Sequence, residues 1–170
     1  GWADMFDRLP SPSLLLMQTF WTGGFHGHYP DVVPPNPEFG TAEEFKAAIH
    51  HAQGRGLQCM PMILPSWWHE ESPTILNLGS EGVDITDIAV LDQGGNPART
   101  FWELAGQIDW GYNVSPRAPH VLERTQALMD SLVNGYGFNM IYEDVLGSIG
   151  YGPDYNASAP DTIDTEAWID

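Results

Sequence analysis

The sequence predicts an α/β fold, specifically part of a (β/α)₈ TIM barrel with long loops after its strands. Short apolar runs alternate with two amphipathic helices, the order expected of a parallel sheet with helical crossovers. Long insertions follow the predicted strands, whereas the returns at 54–56 and 135–137 are short. In a TIM barrel the loops after strands build the active site. A doubly wound open sheet would share the alternation, but its glycine-rich nucleotide fingerprint is absent from this sequence.

Composition limits the classes of partner. The 170 residues include 23 Asp and Glu against 6 Lys and Arg, a net charge of −17. This field repels a phosphate backbone, so we expect no nucleic acid partner. No apolar run approaches the roughly 20 residues of a membrane helix, so we expect no membrane partner. The acidity fits either a high-salt habitat or ordinary solubility.

The first half of the chain predicts two strands around one helix. Residues 2–9 fit the last turns of a helix, and the apolar run 14–20 predicts a strand buried on both faces. A loop rich in Gly and Pro follows at 21–40. Thr41 and Glu44 then form a capping box that starts a helix. Its apolar face recurs at helical spacing: Phe45, Ala48, Ile49 and Ala52.

The second half predicts one more strand, helix and strand. Residues 57–64 form an apolar run in which Pro61 predicts a bulge. A long insertion follows at 66–114, with one short helical piece near 97–104. The next helix opens between Ser115 and Pro119 and ends at Gly135, and the third strand covers 138–144. Because three strands cannot close a barrel of about 250 residues, we expect residues 1–170 to be part of a single domain truncated at both ends.

The third strand ends in two carboxylates, of which Asp144 is the better candidate for catalysis. Side chains alternate along a strand, so Asp144 points into the barrel mouth if Met140 and Tyr142 do, while Glu143 points to the helices. The alternative is that Asp144 caps a loop or pairs with an arginine.

Aromatic and polar side chains gather after all three strands, which suits a carbohydrate. Indole rings stack on the C–H faces of sugars, and carboxylate or imidazole groups bind their hydroxyls. The alternative for each tryptophan is packing inside the fold. The candidate substrate-binding residues are Trp21, Tyr29, Asp31, Trp67, Trp68 and His69.

Metal chemistry is a further alternative. His26 and His28 form a His-x-His pair of the kind that metal-dependent TIM-barrel hydrolases use, but they lie several residues past the strand and further ligands are not evident. We therefore expect no metal ion and no cofactor. Cys59 lies mid-strand among apolar residues, which predicts a core residue.

Several segments resemble bacterial TIM-barrel glycoside hydrolases: 24–35, 39–41, 62–68 and 141–147. The likeness is to the domains of endo-α-N-acetylgalactosaminidases and their relatives, and more loosely to the α-galactosidase and α-glucosidase clan. The resemblance implies that the three strands are the second, third and fourth of the barrel. It also implies a retaining mechanism in which Asp144 is the nucleophile and the acid/base carboxylate comes from a later strand outside this chain.

Together with these residues, the resemblance therefore implies a glycoside hydrolase, α-specific and retaining, whose substrate is a carbohydrate and whose remaining barrel is absent from this chain. Two alternatives stay open: a non-catalytic carbohydrate-binding barrel, and a metal-dependent hydrolase that uses His26 and His28.

Overall fold

The computed structural model describes residues 2–25, 27–145, 153–159 and 162–163. Five helices lie in these ranges: α1 Trp2–Phe6, α2 Ala42–Gly54, α3 Pro73–Asn77, α4 Ile85–Ile88 and α5 Pro119–Asp130. The strands of the same ranges are β1 Ser13–Met17, β2 Leu57–Ile63, β3 Trp67–His69, β4 Arg99–Leu104, β5 Gln107–Asn113, β6 Tyr142–Glu143, β7 Pro153–Asp154 and β8 Thr162–Ile163. None of the helices in these described ranges is long and apolar enough to cross a membrane.

The central feature is a parallel sheet with strand order β1-β2-β6. This confirms the α/β class and the parallel arrangement, while the three strands do not close into a barrel within the described ranges. β6 is shorter than predicted, with two residues. The bulge predicted at Pro61 was wrong, because the register with β1 runs regularly to Pro61. Pro61 is the last β2 residue in register with β1, and pairing with β6 begins at Met62, so Pro61 has no partner in the β2–β6 ladder.

Helix α2 begins and packs as its sequence predicts. The Thr41 hydroxyl accepts from the Glu44 N–H at 3.1 Å, and the Glu44 carboxylate accepts from the Thr41 N–H at 2.8 Å. Its predicted apolar face is buried: Phe45, Ala48, Ile49 and Ala52. These side chains join Leu57 and Cys59 of β2 in one hydrophobic core, so the prediction that Cys59 is a core residue is confirmed.

The opposite face of the sheet is exposed at β1, although Met62 of β2 on the same face is buried. Leu14 is 58% exposed and Leu16 is 40% exposed. The prediction that the first strand is buried on both faces was therefore wrong for the described part of the chain. Gln58 and Met60 of β2 are the register partners of these leucines, and Met62 is the partner of Tyr142. Because side chains two residues apart share a face, Tyr142 belongs to the same face as the exposed leucines.

The insertion after β2 contains an antiparallel sheet with strand order β3-β5-β4. The helical piece predicted near 97–104 was wrong, because these residues form β4 of a hairpin in which Phe101 pairs with Trp110. The strands are rich in aromatic and β-branched residues, which favour extended backbone. Ala105 and Gly106 both have positive φ, 52° and 85°, as a tight two-residue hairpin turn requires.

Helix α5 confirms the second predicted helix and continues as a π turn over Ser131–Gly135. Val121, Leu128 and Leu132 are buried, whereas Leu122 is 54% exposed. Val121 contributes to a second hydrophobic core beside β3, together with Trp68, Leu78, Ile88, Val114 and Ala118. α5 therefore fixes the base of the antiparallel sheet.

Candidate active site

The candidate site lies at the edge where the parallel strands end. Asp144 is the first residue after β6, and its N–H donates to the Ile63 carbonyl at the end of β2, over 2.8 Å. This bond continues the ladder between the two strands. The backbone of Asp144 is therefore held by regular sheet pairing rather than by a free loop.

The side chain of Asp144 lies on the face of the sheet that carries Leu14 and Leu16. The Tyr142 hydroxyl donates to Asp144 Oδ1 at 3.3 Å, which places both side chains on one side of the strand. Glu143 is the register partner of the buried Ile63 and so belongs to the opposite face. The alternation predicted from the sequence is thus the observed arrangement of these three residues.

Asp144 borders a mostly apolar cleft of about 270 Å³, which we call the Asp144 cleft. The sheet edge and the loop after β1 form one wall, and the β4–β5 hairpin forms the other. The lining residues are Phe25, Tyr29, Met62, Leu64, Trp102, Glu103, Leu104, Asp144 and Val145. The hairpin residues Trp102 and Glu103 were missed by the sequence analysis, because the segment was assigned to a helical piece.

Tyr29, which lines the Asp144 cleft, carries a buried hydroxyl. The residue is 1% exposed, and its hydroxyl has no hydrogen-bond partner among the residues that the structure describes. Burial, and secondly the charge of Asp144, raise the pKa of the Tyr29 phenol far above its usual range. The group therefore stays protonated and remains a hydrogen-bond donor.

The backbone beside Asp144 is strained. Val145 has a φ of 61°, and this left-handed region is unfavourable for a β-branched residue. Thr19, two residues after β1, has a φ of 59°. Such residues cost on the order of 1–3 kcal/mol each and cluster at functional sites. Positive φ at non-glycine residues therefore occurs just after two of the parallel strands, and also in loops at His28 and Ala105.

A second cleft of about 210 Å³, which we call the Trp67 cleft, adjoins the first. It shares Trp102 and Val145 with the Asp144 cleft. Trp67 is 2% exposed, and no described residue accepts a hydrogen bond from its Nε1. The remaining lining residues are Ser66, Thr100, Phe101 and Asn113.

Asp31 has partners that tie it to other elements. Its Oδ1 accepts from Arg124 of α5 at 2.5 Å and from the Thr74 hydroxyl at 2.8 Å, and its Oδ2 accepts from the Thr74 N–H at 2.8 Å. The residue does not line either cleft. These contacts favour a structural role, so we leave Asp31 out of the proposed site.

Trp21 and Trp68 are interior side chains, 1% and 0% exposed. The Trp21 indole donates to the Gly27 carbonyl at 2.9 Å, and the Trp68 indole donates to the Pro65 carbonyl at 3.2 Å. Their arrangement matches the packing alternative weighed for each tryptophan. Their roles as substrate contacts stay predictions on which nothing below depends.

His69 connects the loop after β1 to the antiparallel sheet. Its backbone N–H donates to the Tyr29 carbonyl at 2.9 Å. On the imidazole ring, Nδ1 accepts from the Glu71 backbone N–H at 3.3 Å, and Nε2 lies 3.9 Å from Asp109 Oδ1. Burial lowers the pKa of the His69 imidazole. The residue is 7% exposed, and its role as a substrate contact also stays a prediction.

The described part of the chain contains no set of ligands for a metal ion. No group of three or more His, Cys, Asp or Glu side chains there is arranged to hold a metal ion. His26 lies outside the described residues, and His28 is near enough to His69 to affect its pKa. The alternative based on His26 and His28 therefore has no support from the described geometry.

No protein-family model matches the sequence, and no curated protein sequence matches it. Solved structures do match. The α-N-acetylgalactosaminidase NagBb of Bifidobacterium bifidum is 16% identical, with a TM-score of 0.70 over 97% of this chain and 25% of its own. The α-galactosidase TtGalA of Thermus thermophilus is 15% identical, with a TM-score of 0.57 over 85% of this chain and 26% of its own.

A GH31 sulfoquinovosidase of E. rectale is 12% identical, with a TM-score of 0.57 over 91% of this chain and 22% of its own. The chain thus spans about a quarter of the length of the enzymes it matches. The resemblance stated from the sequence is confirmed at the level of fold: this chain shares its fold with a part of these glycoside hydrolases.

Proposed function

We propose that this chain belongs to the catalytic domain of a retaining, α-specific glycoside hydrolase in which Asp144 is the nucleophile. The observation that carries the proposal is the position of Asp144, at the carboxyl end of a parallel strand and on the border of an apolar cleft. Active sites of barrel enzymes lie at this edge. The strained backbone at Val145 adds support.

The fold proposal is that β1, β2 and β6 are the second, third and fourth strands of a (β/α)₈ barrel, and that residues 1–170 lie within a single domain. The exposed leucines of β1 support it, because the inner face of a barrel is apolar and becomes covered only when the other strands are present. The remainder of the barrel would then come from sequence outside this chain.

The proposed reaction is a double displacement. The Asp144 carboxylate attacks the anomeric carbon while a carboxylic acid protonates the leaving oxygen, and a glycosyl ester of Asp144 forms. The same acid, now a carboxylate, removes a proton from water, which attacks the anomeric carbon and releases Asp144. The resemblance assigns this acid to a later strand, so no described residue is given that role.

The carbohydrate contacts that we propose are Tyr29 and Trp67. Each is at least 98% buried and carries a polar hydrogen that no described residue accepts. A sugar hydroxyl in the cleft would supply the missing acceptor, and apolar neighbours such as Trp102 would pack on the C–H face of the ring. Such a ligand is a carbohydrate rather than a nucleotide, since the chain is strongly acidic.

The test uses the full-length protein and a panel of p-nitrophenyl α-glycosides that includes the galactoside and the N-acetylgalactosaminide. We expect turnover of at least one, with an α-configured first product by NMR. A 5-fluoroglycosyl fluoride of the same sugar should label Asp144, as read by peptide mass spectrometry. An inverted product, or a label on another carboxylate, would refute the assignment.

Two other outcomes separate the alternatives. Sugar binding without any turnover would indicate a non-catalytic carbohydrate-binding barrel. Turnover that is abolished by chelation and restored by zinc would indicate the metal-dependent hydrolase.

A further inference from the structure

Strand β4 forms one edge of the antiparallel sheet. The strand order is β3-β5-β4, and in the described part of the chain no strand pairs with the outer side of β4. The hairpin turn contains two residues, Ala105 and Gly106, which makes Leu104 and Gln107 a hydrogen-bonded pair. Alternate residues of β4 therefore bond to β5, and the backbone groups of the others point outward. The outward residues are Arg99, Phe101 and Glu103.

Two backbone bonds agree with this alternation. The Asn113 N–H donates to the Ala98 carbonyl at 2.9 Å, so the even-numbered positions of this segment bond toward β5. The Glu70 N–H donates to the Trp110 carbonyl at 3.0 Å. The backbone of Trp110 therefore points toward β3 and away from its register partner Phe101. An edge that presents N–H and C=O groups in this way is a template for pairing with another strand.

The outer edge of β4 has an apolar centre with one charge on each side. Phe101 is 50% exposed, and its ring centroid lies 5.0 Å from that of Trp110. The Arg99 guanidinium lies 4.3 Å from the centre of the same indole and donates two hydrogen bonds to Glu70 Oε2, so further N–H groups remain for a second acceptor. Glu103 is exposed and lies two residues after Phe101.

We propose that β4 pairs with β4 of a second copy of this chain, antiparallel and about a twofold axis at Phe101. In this register Phe101 lies opposite Phe101, and Arg99 lies opposite Glu103 at both ends. Edge charges usually oppose self-pairing, but the order of these charges brings opposite signs together, which is favourable across strands. A parallel pairing in register would place Arg99 opposite Arg99. The inference is independent of the proposed reaction.

The pairing would join two three-stranded sheets into one continuous sheet. On one face of that sheet the rings of Phe101 and Trp110 from both copies would form a row of aromatic side chains. The net charge of −17 on each chain opposes association. At an ionic strength of about 0.15 M the screening length is about 8 Å, so charges on facing strands have a greater effect than distant ones.

The first test measures the oligomeric state of the full-length protein by sedimentation velocity at about 0.15 M salt. We expect a monomer–dimer equilibrium in wild type. Glu103→Arg places an arginine opposite Arg99 at both ends and should raise the dimer Kd at least about tenfold. Glu38→Arg is the matched control, because it makes the same charge change at an exposed position outside the antiparallel sheet. By reducing the net negative charge, it should leave the Kd unchanged or lower it.

The second test restores the pairing with complementary variants. Arg99→Glu is combined with Glu70→Gln, so that no like charge faces residue 70 within the chain. This double variant should dimerise as poorly alone as Glu103→Arg does. A mixture of the two proteins should form a heterodimer, because each glutamate of one copy then lies opposite an arginine of the other. Misfolding of either variant could not produce this recovery.

Four results would overturn the inference. They are a wild-type protein that stays monomeric at every concentration, a dimer whose Kd does not respond to Glu103→Arg, and complementary variants that do not associate when mixed. The fourth is protection from hydrogen exchange of the outward amides of β4 in the monomer, since another part of the protein would then cover the edge.

Discussion

Asp31 and Asp144 both follow strands of the same parallel sheet, yet their surroundings differ. Asp31 accepts three hydrogen bonds from Thr74 and Arg124, which belong to α3 and α5. Among the described residues, Asp144 accepts one side-chain bond, from Tyr142 at 3.3 Å, and it borders a cleft. Most acceptor positions of Asp31 are therefore occupied by the fold, whereas the described part of the chain supplies Asp144 with one side-chain donor.

The comparison teaches that a carboxylate's position after a strand does not by itself decide its role. The oxygens of an ionised carboxylate accept about four hydrogen bonds in total. A group whose oxygens are already occupied by buried donors contributes to stability, whereas one facing a cleft with few donors can bind or attack a ligand. We therefore expect the two aspartates to separate into a stability phenotype and an activity phenotype.

The largest expected effect is the loss of activity in Asp144→Asn. Removing a nucleophile lowers kcat by about 10⁴-fold or more, while the unfolding free energy should change little because the Asp144 backbone bond remains. The matched control is Glu143→Gln, which removes one negative charge from the adjacent position on the opposite face. Steady-state kinetics and urea unfolding of the full-length protein measure both. If Asp144→Asn keeps more than a tenth of the wild-type kcat, Asp144 is not the nucleophile, and the proposed difference in role between the two aspartates is wrong.

The next effect is a loss of stability in Asp31→Ala. The side chains of Asp31 and Arg124 are 15% and 25% exposed, so solvent reduces the cost below that of a fully buried pair. We expect an unfolding free energy lower by about 2 kcal/mol. Folded Asp31→Ala protein should keep kcat within about tenfold of wild type, because Asp31 does not line the clefts.

A double-mutant cycle with Arg124→Met isolates the pair itself. If the ion pair carries the stability, the two single changes should be clearly non-additive, with a coupling of about 1 kcal/mol or more. Full additivity, or a selective loss of substrate affinity in Asp31→Ala, would instead favour the substrate role that the sequence predicts for Asp31.

A smaller effect is expected at Tyr29, on the Asp144 side of the comparison. Tyr29→Phe removes a buried hydroxyl that lacks a partner among the described residues, so the unfolding free energy should stay unchanged or rise. Loss of its bond to the substrate should lower kcat/KM about tenfold, or about 1.4 kcal/mol. Thermal unfolding and kinetics on the same preparation test both. A clear loss of stability would mean that the hydroxyl has a partner in the fold.

The features that the sequence predicted correctly depend on residues that are close together along the chain. The capping box of Thr41 and Glu44 and the buried face of α2 depend on residues within one or two turns of each other. The orientation of Asp144 follows from the two-residue period of a strand. These features needed no knowledge of the rest of the molecule, and the structure agrees with them.

Long-range contacts account for what the sequence analysis missed. The partners of Asp31 lie 43 and 93 positions along the chain, and no local pattern connects them. The hairpin wall of the cleft meets Asp144 only through the tertiary fold. One local signal was available, since Gly106 lies between two runs rich in aromatic residues, which is typical of a tight hairpin.

The smallest expected effect concerns His69, which joins the Tyr29 loop to the antiparallel sheet. Burial lowers the pKa of its imidazole in the folded state, opposed by the charges of Asp109, Glu71 and Glu70 and assisted by His28. The unfolded pKa is about 6.5, so below it the unfolded chain binds more protons than the folded one. Stability from this residue is therefore fully present above that pH and is lost as the pH falls from there through the folded pKa. Urea unfolding of wild type and His69→Gln should be compared across this pH range, since the two proteins have the same carboxylates. As the pH falls, the unfolding free energy should decrease more in wild type than in His69→Gln. An equal decrease in both proteins would mean that His69 has the same pKa in the folded and unfolded states, so that burial does not oppose its protonation.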